Sequence, residues 1–169
     1  MNFIGIDPGL NGGFALIVGS NATTIRVYDI PTLIRQKGKG KKREYNISQL
    51  CSLLRLQTQN IPRDHLFACL EFVHAMPMQG TVSMFSMGQG FGIWQALLAA
   101  LEISYELTTP QRWKKVMLNG TGKDKEVSRL KALQMFPSLA DQLKLKKDEG
   151  KAEALLIAEY GRRLYNGRI

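Results

Sequence analysis

The stretch "HLFACLEFV", residues 65–73, is apolar at almost every position. A strand with one wet face alternates apolar and polar residues. A run without that alternation is covered on both sides, as in the middle of a layered α/β sheet. Three more strand-like runs precede it, over residues 2–7, 12–19 and 24–30, rich in Ile, Val, Phe and Thr and parted by glycine or Ser-Asn turns. Their spacing predicts an antiparallel meander. Leucines at helical spacing predict a helix over residues 47–58, and a long apolar stretch predicts another over 83–101. A further strand is expected over 103–108. Pro110 is placed to open a short helix. Helices over "EVSRLKALQMF" and residues 150–165 complete the order. Three strands, helix, strand, helix, strand and several helices predict one α/β domain over residues 1–169, with a mixed sheet and helices on its faces.

Bulk properties narrow the function. The chain has 169 residues, 44% hydrophobic and 22% charged, values of a globular protein with a real core. No apolar run reaches the roughly 18 residues of a membrane helix, so no membrane partner is expected. The start, "MNFIGIDPG", lacks the basic and apolar regions of a signal peptide. Cys51 and Cys69 sit in apolar segments and read as reduced core thiols of a cytoplasmic protein. The net charge of +9 favours a polyanionic partner, with nucleic acid first in line. Arg35, Lys37, Lys39, Lys41, Lys42 and Arg43 crowd into "RQKGKGKKR" with no acid among them. This stretch reads as a flexible loop, either merely solvated or moulded onto phosphates.

Two acids stand where apolar residues are expected. Asp7 ends the first strand in "FIGIDPGLNGG", and Glu71 lies near the end of "HLFACLEFV". A buried carboxylate without a partner is costly, and neither strand carries a lysine or arginine. A divalent cation such as Mg²⁺, which takes hard oxygen ligands, answers that cost. The plainer readings are that Asp7 caps its own turn and that Glu71 faces water on an edge strand. A third cluster, Asp148, Glu149 and Glu153, opens the last helix, where acids also favour the helix N-terminus without any chemistry.

"IGIDPGLNGG", "LEFV", "SMGQGFGIWQALLAAL", "TPQRWKKVMLNGTGKDKE" and "AEALLIA" together resemble the RuvC-type Holliday-junction resolvases of the RNase H-like superfamily. "AMPMQG" and "KKDEGKAEALLIAEYGRR" are similar to the phage and prophage branch. The resemblance covers nearly the whole chain. It implies an RNase H-like fold, with a five-stranded mixed sheet whose first three strands are antiparallel and helices on both faces. It also implies a homodimeric endonuclease that nicks four-way DNA, works in the cytoplasm of a bacterial host, needs no nucleotide cofactor and holds two Mg²⁺ ions, with Mn²⁺ able to substitute. The matching acids are Asp7, Glu71 and Glu153, the last replacing the family's aspartate. The family's remaining acid position falls on Gly150, so Asp148 is expected to take its place, with Glu149 the alternative. With four acids there, two-metal chemistry is the expected mechanism, leaving a 5′ phosphate and a 3′ hydroxyl.

The resemblance also matches Lys125 to a lysine near the scissile phosphate, with Lys123 the competing choice. It matches Phe85 to a side chain that stacks on bases, against the alternative of core packing. His74 follows the strand end and is not assigned. Gly88, Gly90 and Gly92 alternate in the long helix, which suits close approach of the sheet or of a partner helix. Three alternatives stand beside this reading: a non-catalytic branched-DNA-binding module of the same fold, a nuclease with broader branched-DNA specificity, and an actin-like or sugar-kinase ATPase. The chain lacks the second glycine-rich phosphate turn that the last requires.

Overall fold

The computed structural model describes residues 1–19, 21–22, 24–38, 40–75, 78–120 and 126–169. The strands are β1 (Asn2–Asp7), β2 (Gly13–Val18), β3 (Thr24–Asp29), β4 (Thr32–Lys37), β5 (Gly40–Tyr45), β6 (Leu66–Glu71) and β7 (Ser104–Thr108). The helices are α1 (Ile47–Thr58), α2 (Thr81–Ala100), α3 (Pro110–Met117), α4 (Val127–Met135) and α5 (Glu149–Tyr165). The main sheet has five strands in the order β3-β2-β1-β6-β7. β1 pairs antiparallel with β2, and β2 with β3, whereas β6 runs parallel to both β1 and β7. The apolar run of β6 is therefore a central parallel strand, as its lack of alternation requires.

Two cores flank this sheet. Ile4, Ile6, Leu66, Ala68 and Leu70 face α1 and α2, packing with Leu50, Leu54, Trp94 and Leu98. Phe3 and Cys69 face the other way, with Trp113 of α3, Ala132 of α4 and the apolar flank of α5. Strand residues alternate between faces, so Asp7 follows Phe3 and Gly5 onto the α5 side. Glu71 follows Phe67 and Cys69 onto the same side.

α5 lies very close to β1 and β2, and small residues permit it. A Cβ on Gly5 would run into the Ala154 carbonyl and the Ala158 backbone. A Cβ on Gly13 would come within 2.6 Å of the Gly150 carbonyl oxygen. Gly12 and Gly150 form an isolated parallel bridge, and a Cβ on Gly150 would collide with the Asn11 carbonyl.

The basic stretch departs from expectation. It is an antiparallel hairpin, β4–β5, forming its own two-stranded sheet rather than a loop. Lysine and glycine are poor strand formers, which hides the hairpin from composition. The strand is held by pairing and by a local counter-charge. Glu44 binds Arg35 Nε at 2.9 Å and Lys42 Nζ at 3.2 Å, while Gly38 supplies the left-handed turn residue at φ 59°. Lys39 lies outside the described residues. No helix among the described residues is long and apolar enough to cross a membrane.

Candidate active site

β1 and β6 are parallel neighbours, with Ile6 beside Leu70 as the last registered pair. The next residue on each strand is an acid, Asp7 and Glu71, and both carboxylates point to the α5 face. The Asp7 turn is built for a carboxylate. Gly9 N–H donates to Asp7 Oδ1 at 3.1 Å, and a Cβ on Gly12 would lie 2.8 Å from the Asp7 carboxyl carbon. The expected turn cap is thus present, and it engages one carboxylate oxygen.

α5 brings further acids to the same place. Asp7, Glu149 and Glu153 line one cleft, together with Gly9, Asn11, Lys42, Arg43 and Ser86. Glu153 Oε1 accepts from Ser128 Oγ at 3.1 Å and pairs with Lys114 Nζ at 2.7 Å. Glu71 is buried, and its Oε2 accepts from the indole N–H of Trp113 at 2.6 Å. Lys114 and Trp113 of α3 were not singled out from the sequence. Their signal was there in "PQRWKKVM": a proline-opened helix directly after β7, with a tryptophan and lysine one turn in.

Asp148 is placed differently from the other acids. Its Oδ2 accepts the Leu145 N–H at 2.7 Å and its Oδ1 pairs with Lys151 Nζ at 3.0 Å. Burial works against its charge, but the Leu145 N–H and Lys151 outweigh it and hold the carboxyl below its usual range. Both oxygens thus serve the start of α5. Gly150, where the sequence resemblance predicts an acid, has no room for a side chain.

Asp7 and Glu149 in the cleft, and Glu71 beside it, show the opposite electrostatics. Asp7 is pushed up to about 7, first by burial and then by the charges of Glu71 and Glu153. Glu71 is raised by burial, opposed by the Trp113 hydrogen bond and reinforced by Glu153. Glu149 is raised by burial and by Glu153, against hydrogen bonds from Ser128 and the Arg129 N–H; of its two oxygens, Oε2 is buried with no hydrogen-bond partner among the described residues. Lys114 is raised: burial opposes its charge, but Glu153, Glu71 and Asp7 together prevail.

Among the described residues no three His, Cys, Asp or Glu side chains converge as a ready-made metal site. The donor chemistry nevertheless fits a divalent cation. The cleft offers hard carboxylate oxygens, a buried Glu149 Oε2 without a partner among the described residues, and repulsion between Asp7, Glu71 and Glu153 that Lys114 only partly offsets.

The basic residues divide into two kinds. Arg43 is exposed yet latched by three of its five N–H groups: Nη1 donates to Asn11 Oδ1 at 2.6 Å, Nη2 to the Leu10 carbonyl at 2.8 Å and Nε to Thr32 Oγ1 at 3.0 Å. It latches the hairpin to the Asp7 turn. Arg35, Lys37 and Lys41 are exposed, Lys42 is half-buried, and Lys37 and Lys42 border a groove with Val82 and Phe85. Phe85 is 70% exposed, so it does not pack in the core. In α2, Gly90 closes on Tyr45 and the Pro8 carbonyl, while Gly88 and Gly92 open to solvent. Lys123 and Lys125 lie outside the described residues.

No family model matches the chain. The chloroplastic Holliday junction resolvase MOC1 of Chlamydomonas reinhardtii is 30% identical over 95 residues, 56% of this chain. The match spans 11% of the length of that curated relative. The Thermus thermophilus RuvC structure aligns over 99% of this chain and 98% of its own, with 14% identity and a TM-score of 0.53. T. thermophilus RuvC in complex with Holliday junction substrate aligns over the same shares, with 13% identity and a TM-score of 0.55. The chain therefore has the RNase H-like fold of RuvC and resembles the RuvC-type Holliday junction resolvases.

Proposed function

We propose that this protein is a Mg²⁺-dependent endonuclease that nicks four-way DNA junctions and acts as a homodimer. The observation that carries the reading is that Asp7 lines one cleft of a RuvC fold with Glu149 and Glu153, while Glu71, at the end of the adjacent parallel strand, feels the same charges from just beneath it. Asp7, Glu71, Glu153 and Glu149 would hold the metal. Glu149 is preferred to Asp148 because its Oε2 has no partner among the described residues while both Asp148 oxygens are taken. Bound Mg²⁺ supplies Lewis acidity and a water of lowered pKa, the chemistry by which hydrolysis leaves a 5′ phosphate and a 3′ hydroxyl.

The chain's own groups do the rest. Lys114 neutralises Glu153 until a divalent cation is present. The Gly9 N–H orients Asp7. Arg35, Lys37, Lys41 and Lys42 bind DNA phosphates, and Phe85 stacks on an exposed base, while Arg43 holds the hairpin beside the catalytic turn. The exposed, uncharged face of α2 around Gly88 and Gly92 is the dimer contact, which gives two sites related by a dyad for symmetric incision. The competing reading, a non-catalytic branched-DNA-binding module, has no use for uncompensated acids that repel DNA. Asp7→Asn tests the choice. It should keep junction affinity and lose metal-dependent nicking; undiminished nicking by this variant removes Asp7 from the chemistry.

A further inference from the structure

Glu71 is a long acid at a strand end, and its flexible side chain must be fixed before its oxygens can serve a cation. Among the described residues its hydrogen bond comes from Trp113, whose indole N–H donates to Oε2 at 2.6 Å. Trp113 has 0% exposure, so the donor is itself locked by packing. Its backbone is placed by the start of α3, where Pro110 opens the helix and Thr109 accepts the Arg112 N–H at 3.3 Å. An indole is a donor only, with a single N–H. It can tie down one carboxylate oxygen and leaves the other free. The same ring lies 5.0 Å beneath the Lys114 ammonium, which pairs with Glu153. One buried ring therefore touches the supports of two acids of the cleft.

We infer that Trp113 is a positioning residue, whose N–H fixes the Glu71 carboxylate so that its second oxygen is presented to a divalent cation. This rests on the reading of Glu71 as a metal-holding acid. Partners that orient a ligand typically control metal affinity by about tenfold to a hundredfold. A purely structural tryptophan needs only its volume, so the N–H separates the two roles.

The test titrates Mn²⁺ into the full-length protein and counts the free ion by electron paramagnetic resonance. Four-way-junction affinity in EDTA and the thermal midpoint are measured in parallel. Three proteins are compared with the wild type: Glu71→Gln, Trp113→Phe, and a protein carrying 3-benzothienylalanine at position 113. That analogue keeps the indole shape but has sulfur in place of the N–H. Mn²⁺ affinity should fall about tenfold in both position-113 variants. Junction affinity in EDTA should stay at the wild-type value, and the benzothienyl protein should lose only the few degrees of midpoint that one buried hydrogen bond carries. Wild-type Mn²⁺ affinity in the benzothienyl protein, with Glu71→Gln having lost it, overturns the positioning role and leaves Glu71 in place. A parallel loss of junction affinity overturns it too, since that marks a structural role. Wild-type affinity in Glu71→Gln overturns the reading of Glu71 and the inference with it.

Discussion

Lys114 Nζ lies 2.7 Å from Oε1 of Glu153 and feels the charges of Glu71 and Asp7 as well. This ammonium is, among the described residues, the cation that acts on Asp7, Glu71 and Glu153 together. The pair is partly exposed, so its worth is well below that of a buried pair. Lys114→Met should cost about 1–2 kcal/mol of stability in EDTA. Mg²⁺ should recover most of that loss, because it supplies the missing positive charge. Chemical denaturation with and without Mg²⁺ checks this, and equal losses in both conditions count against it.

The raised Asp7 carboxyl ties stability to pH. In the unfolded chain Asp7 titrates at its ordinary value of 3.8, and in the folded protein at about 7. The native state therefore holds the proton more tightly. Stability from this group is full below pH 3.8 and is lost as pH rises through about 7. In EDTA the protein should be more stable at pH 5 than at pH 8. Asp7→Asn should flatten that slope, and denaturation midpoints across the range decide it.

Asp148 and Glu149 are neighbours with different assignments. Asp148→Asn should weaken folding by about 1–2 kcal/mol, because it loses a charge-assisted hydrogen bond and an ion pair. The lowered Asp148 carboxyl stabilises the fold above its unfolded pKa, and that contribution is lost as pH falls through its folded value. Glu149→Gln should leave stability nearly unchanged and depress cleavage by about a hundredfold or more. Paired measurements of midpoint and single-turnover rate distinguish the two; the reverse pattern restores Asp148 to the metal.

Glycines in this chain should respond to alanine according to their surroundings. Gly150→Ala forces a methyl into the Asn11 carbonyl and should cost about 3 kcal/mol or more. Gly88→Ala and Gly92→Ala meet open space and should each add about 0.5–1 kcal/mol of helix stability. If α2 forms the dimer contact, the same two changes should weaken self-association in sedimentation equilibrium.

The hairpin should act through phosphates. Replacing Lys37, Lys41 and Lys42 together by alanine should lower the slope of log affinity against log salt by up to about 2.7, at about 0.9 for each lost phosphate contact. Arg43→Ala should change that slope by no more than one phosphate contact, because three of its five N–H groups are used within the protein, and it should slow cleavage by releasing the Asp7 turn.

The sheet was legible because its residues announce burial. β6 lacks alternation, the first three strands are short and parted by glycine or Ser-Asn turns, and Pro110 marks the start of α3. Asp7 and Glu71 were legible as acids out of place. The hairpin was not, since its strands are held by register and by Glu44 rather than by apolar residues. The packing of α5 was also hidden. Nothing in "DEGKAEA" says that Gly150 touches Asn11 and Gly12, and that contact turns Glu149 into the cleft and leaves Asp148 to the helix start. Lys114 and Trp113 escaped for a similar reason, because their partners lie far along the chain on β6 and α5.

Cleavage of labelled four-way, three-way, Y-shaped and linear duplex DNA, with Mg²⁺ and with EDTA, tests the central claim most directly. Symmetric nicks in the four-way substrate, present with Mg²⁺ and abolished by EDTA, are the predicted result. Equal cutting of linear duplex, or junction binding with no metal-dependent nick, contradicts it.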